Sequence, residues 1–249
     1  MAAGLAELLD CEGIEKVVTV SHDLGSFLVS RFHTYQSKYI SALAFMGIGY
    51  FAPGQDFNQT SVEVYNNITE AKLGYPLLGY WYYYNRPDRH VLMDTHLDSI
   101  YSLHFSHNMP NDWIENVAKV DGLESWLAAD RRAEYGNEWV TNTTRAQWQA
   151  TTRAQGGVES AQKWYKAMMR GINSADEDVG RSTLSGIIEQ PTIFITAEKD
   201  PVAHPAEQLL TTVPYIPGLQ IRTVDAGHFL QVEQAGEVNA HLNEFFESL

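Results

Sequence analysis

The feature that most constrains this chain is a run of β-branched residues that passes into a tight turn with no linker between them. Lys16-Val17-Val18-Thr19-Val20 is too short for a helix and apolar enough for a buried strand. It enters Ser21-His22-Asp23-Leu24-Gly25 directly, after which Phe27, Leu28, Arg31 and Phe32 recur at helical spacing. A second apolar run, Tyr39 to Met46, ends at Gly47. Strand, turn, helix and strand in this order predict a parallel pair joined by a right-handed crossover. Because Ser21 and Gly25 are small, Asp23 stands at the centre of a turn that crowds the neighbouring strands and lifts its side chain above the sheet. An Asp there has two uses, as a nucleophile or as the N-cap of the following helix, and the turn alone supports both equally. The Leu24 amide, opening that helix, is directed toward any negative charge developing nearby.

The rest of the chain falls into three stretches. Residues 2 to 11 read as a short helix ahead of the first strand, with Cys11 as a small, half-buried side chain on it. From 52 to about 185 strand signals nearly vanish, and helical stretches carry aromatic residues at 65, 75, 80 to 84, 101, 126, 148, 164 and 165, which reads as an inserted helical subdomain. Strand logic resumes with Pro191 to Thr196, a helix near 205 to 212, the strand Gln220 to Val224 and a closing helix from about Glu237 to Leu249. The predicted fold is α/β: a doubly wound, mostly parallel sheet built from residues 1–51 and 186–249, with a helical cap over 52–185.

Charge narrows the partners. A formal charge of −14, from 31 acidic against 17 basic side chains with no Lys/Arg cluster, repels phosphate backbones and anionic lipid surfaces, so nucleic acid is not expected as a ligand. No run of about 18 apolar residues exists for a membrane span. Acidic residues stand near the N-terminus where a signal peptide carries positive charge, so a cytoplasmic address is the default expectation. The single cysteine cannot form an intramolecular disulfide.

Two further polar residues change the balance at Asp23. Asp200 follows the strand ending at Thr196 through Ala197-Glu198-Lys199, and His228 follows the strand ending at Val224 through Asp225-Ala226-Gly227. Both stand just past the carboxyl ends of strands, where open α/β sheets place their sites. The chain order of nucleophile, acid and histidine is the one used by α/β hydrolases. Capping does not account for three polar residues on three such strand ends.

The segments Ser-His-Asp-Leu-Gly-Ser, Thr-Ala-Glu-Lys-Asp-Pro-Val and Ala-Gly-His-Phe-Leu-Gln-Val-Glu resemble the triad motifs of epoxide hydrolases with the α/β-hydrolase fold, across nearly the whole chain. The resemblance implies Asp23 as nucleophile, His228 as base oriented by Asp200, and the Leu24 amide in the oxyanion hole. It further implies two cap tyrosines that hydrogen-bond the epoxide oxygen; Tyr80 in Gly79-Tyr80-Trp81 and Tyr165 in Trp164-Tyr165-Lys166 resemble them, although in so aromatic a stretch core packing explains any one tyrosine. The implied reaction converts a small apolar epoxide to a vicinal diol through an Asp23 ester, in an aromatic-lined site between sheet and cap, without cofactor or metal. Other readings stay open: a catalytically silent relative that binds a small apolar ligand or a partner chain, and a dehalogenase.

The chain departs from the family pattern twice. The elbow is usually Gly-His-Asp-Trp-Gly, and in related dehalogenases the tryptophan ring cradles the leaving halide, so Leu24 argues against dehalogenation. The family's earlier strands, three or four units of about 75 to 120 residues in all, are expected to be missing, and with them a His-Gly-x-Pro loop that supplies half of the oxyanion hole. Loss of one such donor costs about 100- to 1000-fold in rate, which leaves a truncated gene product or a natural short form of reduced activity as the expectations. Exposed sheet edges leave a homo-oligomer open. His104 and His107, three apart, could ligate a metal only with further ligands that are absent nearby. His22 reads as a supporting residue rather than a second base, and Asp176-Glu177-Asp178 as a solvated loop.

Overall fold

In the computed structural model, which describes residues 1–135 and 139–249, the β-branched run becomes β1 (Val17–His22) and the helix behind the turn becomes α2 (Leu24–Gln36), preceded by α1 (Ala2–Cys11). The other strands are β2 (Ile40–Met46), β3 (Thr192–Ala197) and β4 (Leu219–Val224). All neighbours pair in parallel, in the order β1-β2-β3-β4. Parallel neighbours need long crossovers. Here α2 joins β1 to β2, the long helical stretch joins β2 to β3, and α12 (Pro205–Thr212) joins β3 to β4.

Each face of the sheet buries a separate apolar cluster. On one side Phe32 of α2 and Ala6 of α1 pack on Leu43, Phe45 and Phe194. On the other, Leu230 of α13 (Leu230–Glu233) and Val238 and Phe245 of α14 (Ala235–Glu247) pack on Ala42, Ala44, Ile193 and Ile195. β3, with a strand on each side, is buried at all six positions. β1 is not a fully buried strand: Val18 and Val20 stay 37% and 46% exposed, because β1 pairs only with β2 among the described residues. Cys11 also differs from expectation, being exposed at the last position of α1.

The chain divides into two units, Met1–Gln55 with Asp176–Leu249, and Asp56–Ala175. These boundaries lie inside the 52–185 span read from composition, and a buried ion pair supplies the reason. Glu177, on α11 (Ser174–Thr183), pairs with Arg31 of α2, and both are under 10% exposed. The same guanidinium donates to the carbonyls of Phe51 and Gln55, and Glu177 accepts from the Gly54 amide. Both flanks of the insertion are thus fastened to the core. The acidic run 176–178 is therefore helical with a buried member, not a solvated loop.

The second unit is helical: α3 (Gln59–Leu73), α4 (Tyr80–Asn85), α5 (Arg89–Thr95), α6 (Leu97–His104), α7 (Met109–Trp113), α8 (Gly122–Ala128), α9 (Asn142–Ala154) and α10 (Glu159–Met169). Asn58 and Ser61 form a reciprocal capping box that starts α3, and Thr141 and Thr144 do the same for α9. A π-helical turn, Ile114–Ala118, follows α7. Gly79 is dictated by close approach, since a Cβ there would stand 2.0 Å from the Ala118 carbonyl oxygen. No helix among the described residues is long and apolar enough to cross a membrane.

Candidate active site

The turn after β1 holds Asp23 at φ 53°, ψ −130°, a conformation that costs a non-glycine residue of order 1–3 kcal/mol and persists only where its surroundings enforce it. Asp23 occupies the N-cap position of α2, yet among the described residues its side chain makes no capping hydrogen bond. Its carboxylate lies instead 3.2 Å from Nε2 of His228 and accepts from the Leu24 amide. The Asp23 side chain is 27% exposed, against 8% for His228 and 0% for Asp200.

His228 is buried, and its Nδ1 is 2.9 Å from Oδ2 of Asp200. Asp200 lies in the turn after β3, where its other oxygen accepts from the Val202 and Ala203 amides at 2.8 and 3.0 Å. Those two bonds lock the carboxylate, and the free lone pairs of Oδ2 face the imidazole. Nδ1–H donates to Asp200, so Nε2 is the nitrogen presented to Asp23. Gly47, at φ +67° just past β2, lets the backbone run beside this group: a Cβ there would contact Asp200 and His22 at 3.5 and 3.6 Å.

The electrostatics follow from two carboxylates flanking one imidazole. Burial alone would lower the His228 pKa, but the charge and hydrogen bond of Asp200, then those of Asp23, raise it to about 10. Burial likewise pushes the Asp23 carboxyl up, and the hydrogen bond and charge of His228 with the Leu24 amide outweigh it, holding Asp23 below the ordinary carboxylate value. In the resting protein at neutral pH the imidazole of His228 is therefore protonated, between Asp23 and Asp200. His22, its ring tilted 48° against that of His228 at 4.8 Å between centroids, has its pKa lowered by burial and by repulsion from His228. Its Nε2–H donates to the His228 carbonyl at 2.8 Å, a supporting contact its position in the elbow did not reveal.

In the second unit Tyr80 and Tyr165 come together, ring centroids 5.8 Å apart. Tyr84 lies against both, at 5.4 and 4.7 Å, and Trp81 sits 5.4 Å from Tyr165. The Tyr83 hydroxyl donates to the Arg89 carbonyl at 3.2 Å. His104 packs on Trp113 at 5.6 Å, and among the described residues no three His, Cys, Asp or Glu side chains cluster as a metal site would require.

Residues 1–235 match the family model described as alpha/beta hydrolase fold. The chain belongs to that family. Among curated relatives, Epoxide hydrolase A of Mycobacterium tuberculosis is 25% identical over 266 residues, covering 100% of this chain and 74% of the relative. Bifunctional epoxide hydrolase 2 of Sus scrofa is 21% identical over 240 residues, covering 95% of this chain but only 40% of the relative. Of solved structures, potato epoxide hydrolase I superposes with a TM-score of 0.71 at 20% identity, over 100% of this chain and 75% of that one. An epoxide hydrolase from an endophytic Streptomyces gives 0.73 at 18% identity, over 99% and 72%. At these identities the solved structures establish the shared fold.

Proposed function

We propose that this α/β hydrolase is an epoxide hydrolase acting on a small apolar epoxide. The observation that carries the reading is Asp23, strained at positive φ, free of capping duty and hydrogen-bonded to a histidine that a buried aspartate orients. A carboxylate in that position suits a substrate that can be alkylated; a serine would suit an ester. The names of the relatives point the same way.

In this reading Asp23 attacks a ring carbon, its C–O bond forms as the epoxide C–O bond breaks, and the leaving alkoxide takes a proton from Tyr80 or Tyr165. The product is a glycol monoester. Esterification abolishes the Asp23 charge, one of the two that keep His228 protonated, so the imidazolium passes its Nε2 proton through water to the tyrosinate left by ring opening and becomes a base. It then deprotonates a water that adds to the ester carbonyl, and the Leu24 amide stabilises the oxyanion; as the ester C–O bond breaks the departing alkoxide takes the proton now on His228, the diol leaves, and the Asp23 acid returns its proton to the imidazole. Attack therefore runs with the histidine charged and hydrolysis with it neutral, and the nucleophile's own charge is the switch. Turnover of a chromogenic epoxide by the wild type and by Asp23→Asn tests the assignment. Wild-type turnover abolished in the variant is expected, and equal background from both would refute it.

A further inference from the structure

The loop that carries His228 is held by more contacts than the triad needs. The Asp225 carbonyl accepts from Gln234 at 3.2 Å, the Ala226 carbonyl from the Lys199 amide at 2.9 Å, and the His228 carbonyl from His22. The amides on either side of His228 both go to one side chain: Gly227 N–H donates to Oε2 of Glu233 at 2.6 Å and Phe229 N–H to Oε1 at 3.0 Å. The local fold delivers that carboxylate. Leu230, fully buried, anchors the single turn of α13, and the turn curls its fourth residue back onto the segment just before it. A carboxylate accepting two amide donors on separate oxygens fixes a backbone more firmly than one bond does, because rotation about either alone is blocked by the other.

We propose that Glu233 is a positioning residue for His228, gripping the backbone on both sides of the imidazole so that Nδ1 meets Asp200 and Nε2 meets Asp23 at once. Glu233 touches no reacting atom, and its role in turnover rests on the epoxide hydrolase reading above. The demand for precision is largest in the hydrolytic step, where Nε2 must aim at a water rather than at the carboxylate to which it is already bonded. Misplacement of a catalytic group by about 1 Å costs on the order of 100-fold.

Glu233→Gln keeps the volume but replaces one acceptor oxygen with an NH₂ group that confronts an amide donor, so one half of the grip is lost. In this variant the single-turnover rate of ester hydrolysis is expected to fall by about 10- to 100-fold, while formation of the Asp23 ester changes several-fold less. The Nδ1 proton resonance of His228, which reports its bond to Asp200 without any substrate, is expected to shift upfield and broaden. Gln234→Ala loosens the same loop three residues earlier and is expected to leave both readouts near wild type. An unchanged His228 resonance in Glu233→Gln overturns the proposal, as does an equal effect from Gln234→Ala, which would mean that any loosened contact disturbs the loop. Should wild-type protein turn over no epoxide, the epoxide reading fails on its own and the resonance still decides whether Glu233 positions the imidazole.

Discussion

The two units hold their candidate chemical groups by opposite means. Around His228 nearly every polar atom has a specific partner: Asp200 is fixed by two amides, the imidazole by two carboxylates, and the loop beneath it by Glu233, Gln234 and His22. Around Tyr165 the neighbours are rings, with Tyr80, Trp81 and Tyr84 all edge-on at 4.7 to 5.8 Å. Hydrogen bonds are directional and weaken steeply when one atom moves, whereas an edge-to-face aromatic pair, worth about 0.5–1.5 kcal/mol in all, is met over a range of centroid separations. The first arrangement suits a proton path of fixed length. The second suits a surface that must accept a substrate's shape.

The contrast can be tested most severely at His228. His228→Gln leaves Asp23 able to react but removes the base, so steady-state turnover should fall by about 10⁴-fold or more while a stoichiometric ester accumulates, detectable as a mass increase on Asp23. Loss of ester formation as well would show that the imidazole is needed for attack. Next in size is the ion pair that ties the flanks of the insertion to the core. Glu177→Ala strands Arg31 as a buried, unpaired cation, and a loss of about 3–5 kcal/mol in denaturant unfolding is expected; a loss under about 1 kcal/mol would mean that Arg31 finds water.

A smaller effect is expected in the aromatic unit. Gly79→Ala drives a methyl group into the Ala118 carbonyl at the start of the helix that bears Tyr80, with an expected cost of about 1–3 kcal/mol and a larger change in ester formation than in ester hydrolysis. The reverse pattern of rates would move Tyr80 out of the ring-opening step. Stability also carries a signature of the flanked imidazole in its pH dependence. With its pKa raised from 6.5 to about 10, His228 contributes stability that is complete below pH 6.5 and lost as pH rises through 10, while Asp23, with its pKa lowered, contributes above 3.8 and loses that contribution in more acid solution. Thermal melts from pH 6 to 10 should therefore decline in the wild type and flatten in His228→Gln; parallel curves would detach the decline from this residue.

That Asp23, Asp200 and His228 stand on one edge of the sheet was legible in the sequence. Asp23, Asp200 and His228 each follow a short β-rich run within five residues, and in a parallel sheet all strand ends of one kind lie on one edge, so sequence order carried spatial meaning. The burial of Glu177 was not legible. Its neighbours Asp176 and Asp178 are solvent-facing, and the partner Arg31 is 146 residues away, so the local charge pattern favoured the wrong environment. The partial exposure of β1 escaped for a related reason: Val17 to Val20 reads as buried in composition, but burial depends on which strands lie alongside. Glu233 was visible only as the last letter of a motif, because nothing in its spacing from His228 says that a one-turn helix folds it back.

By itself, the sequence determined that this chain forms parallel strands with a helical insertion, and that an Asp, an Asp and a His stand at the ends of three of those strands. Periodicity and turn residues are local properties, and they were sufficient for that. Only the tertiary structure decided what Asp23 does with its side chain. Among the described residues the fold gives Asp23 no capping hydrogen bond and sets its carboxylate 3.2 Å from a histidine 205 residues further along the chain, a contact that no local pattern encodes.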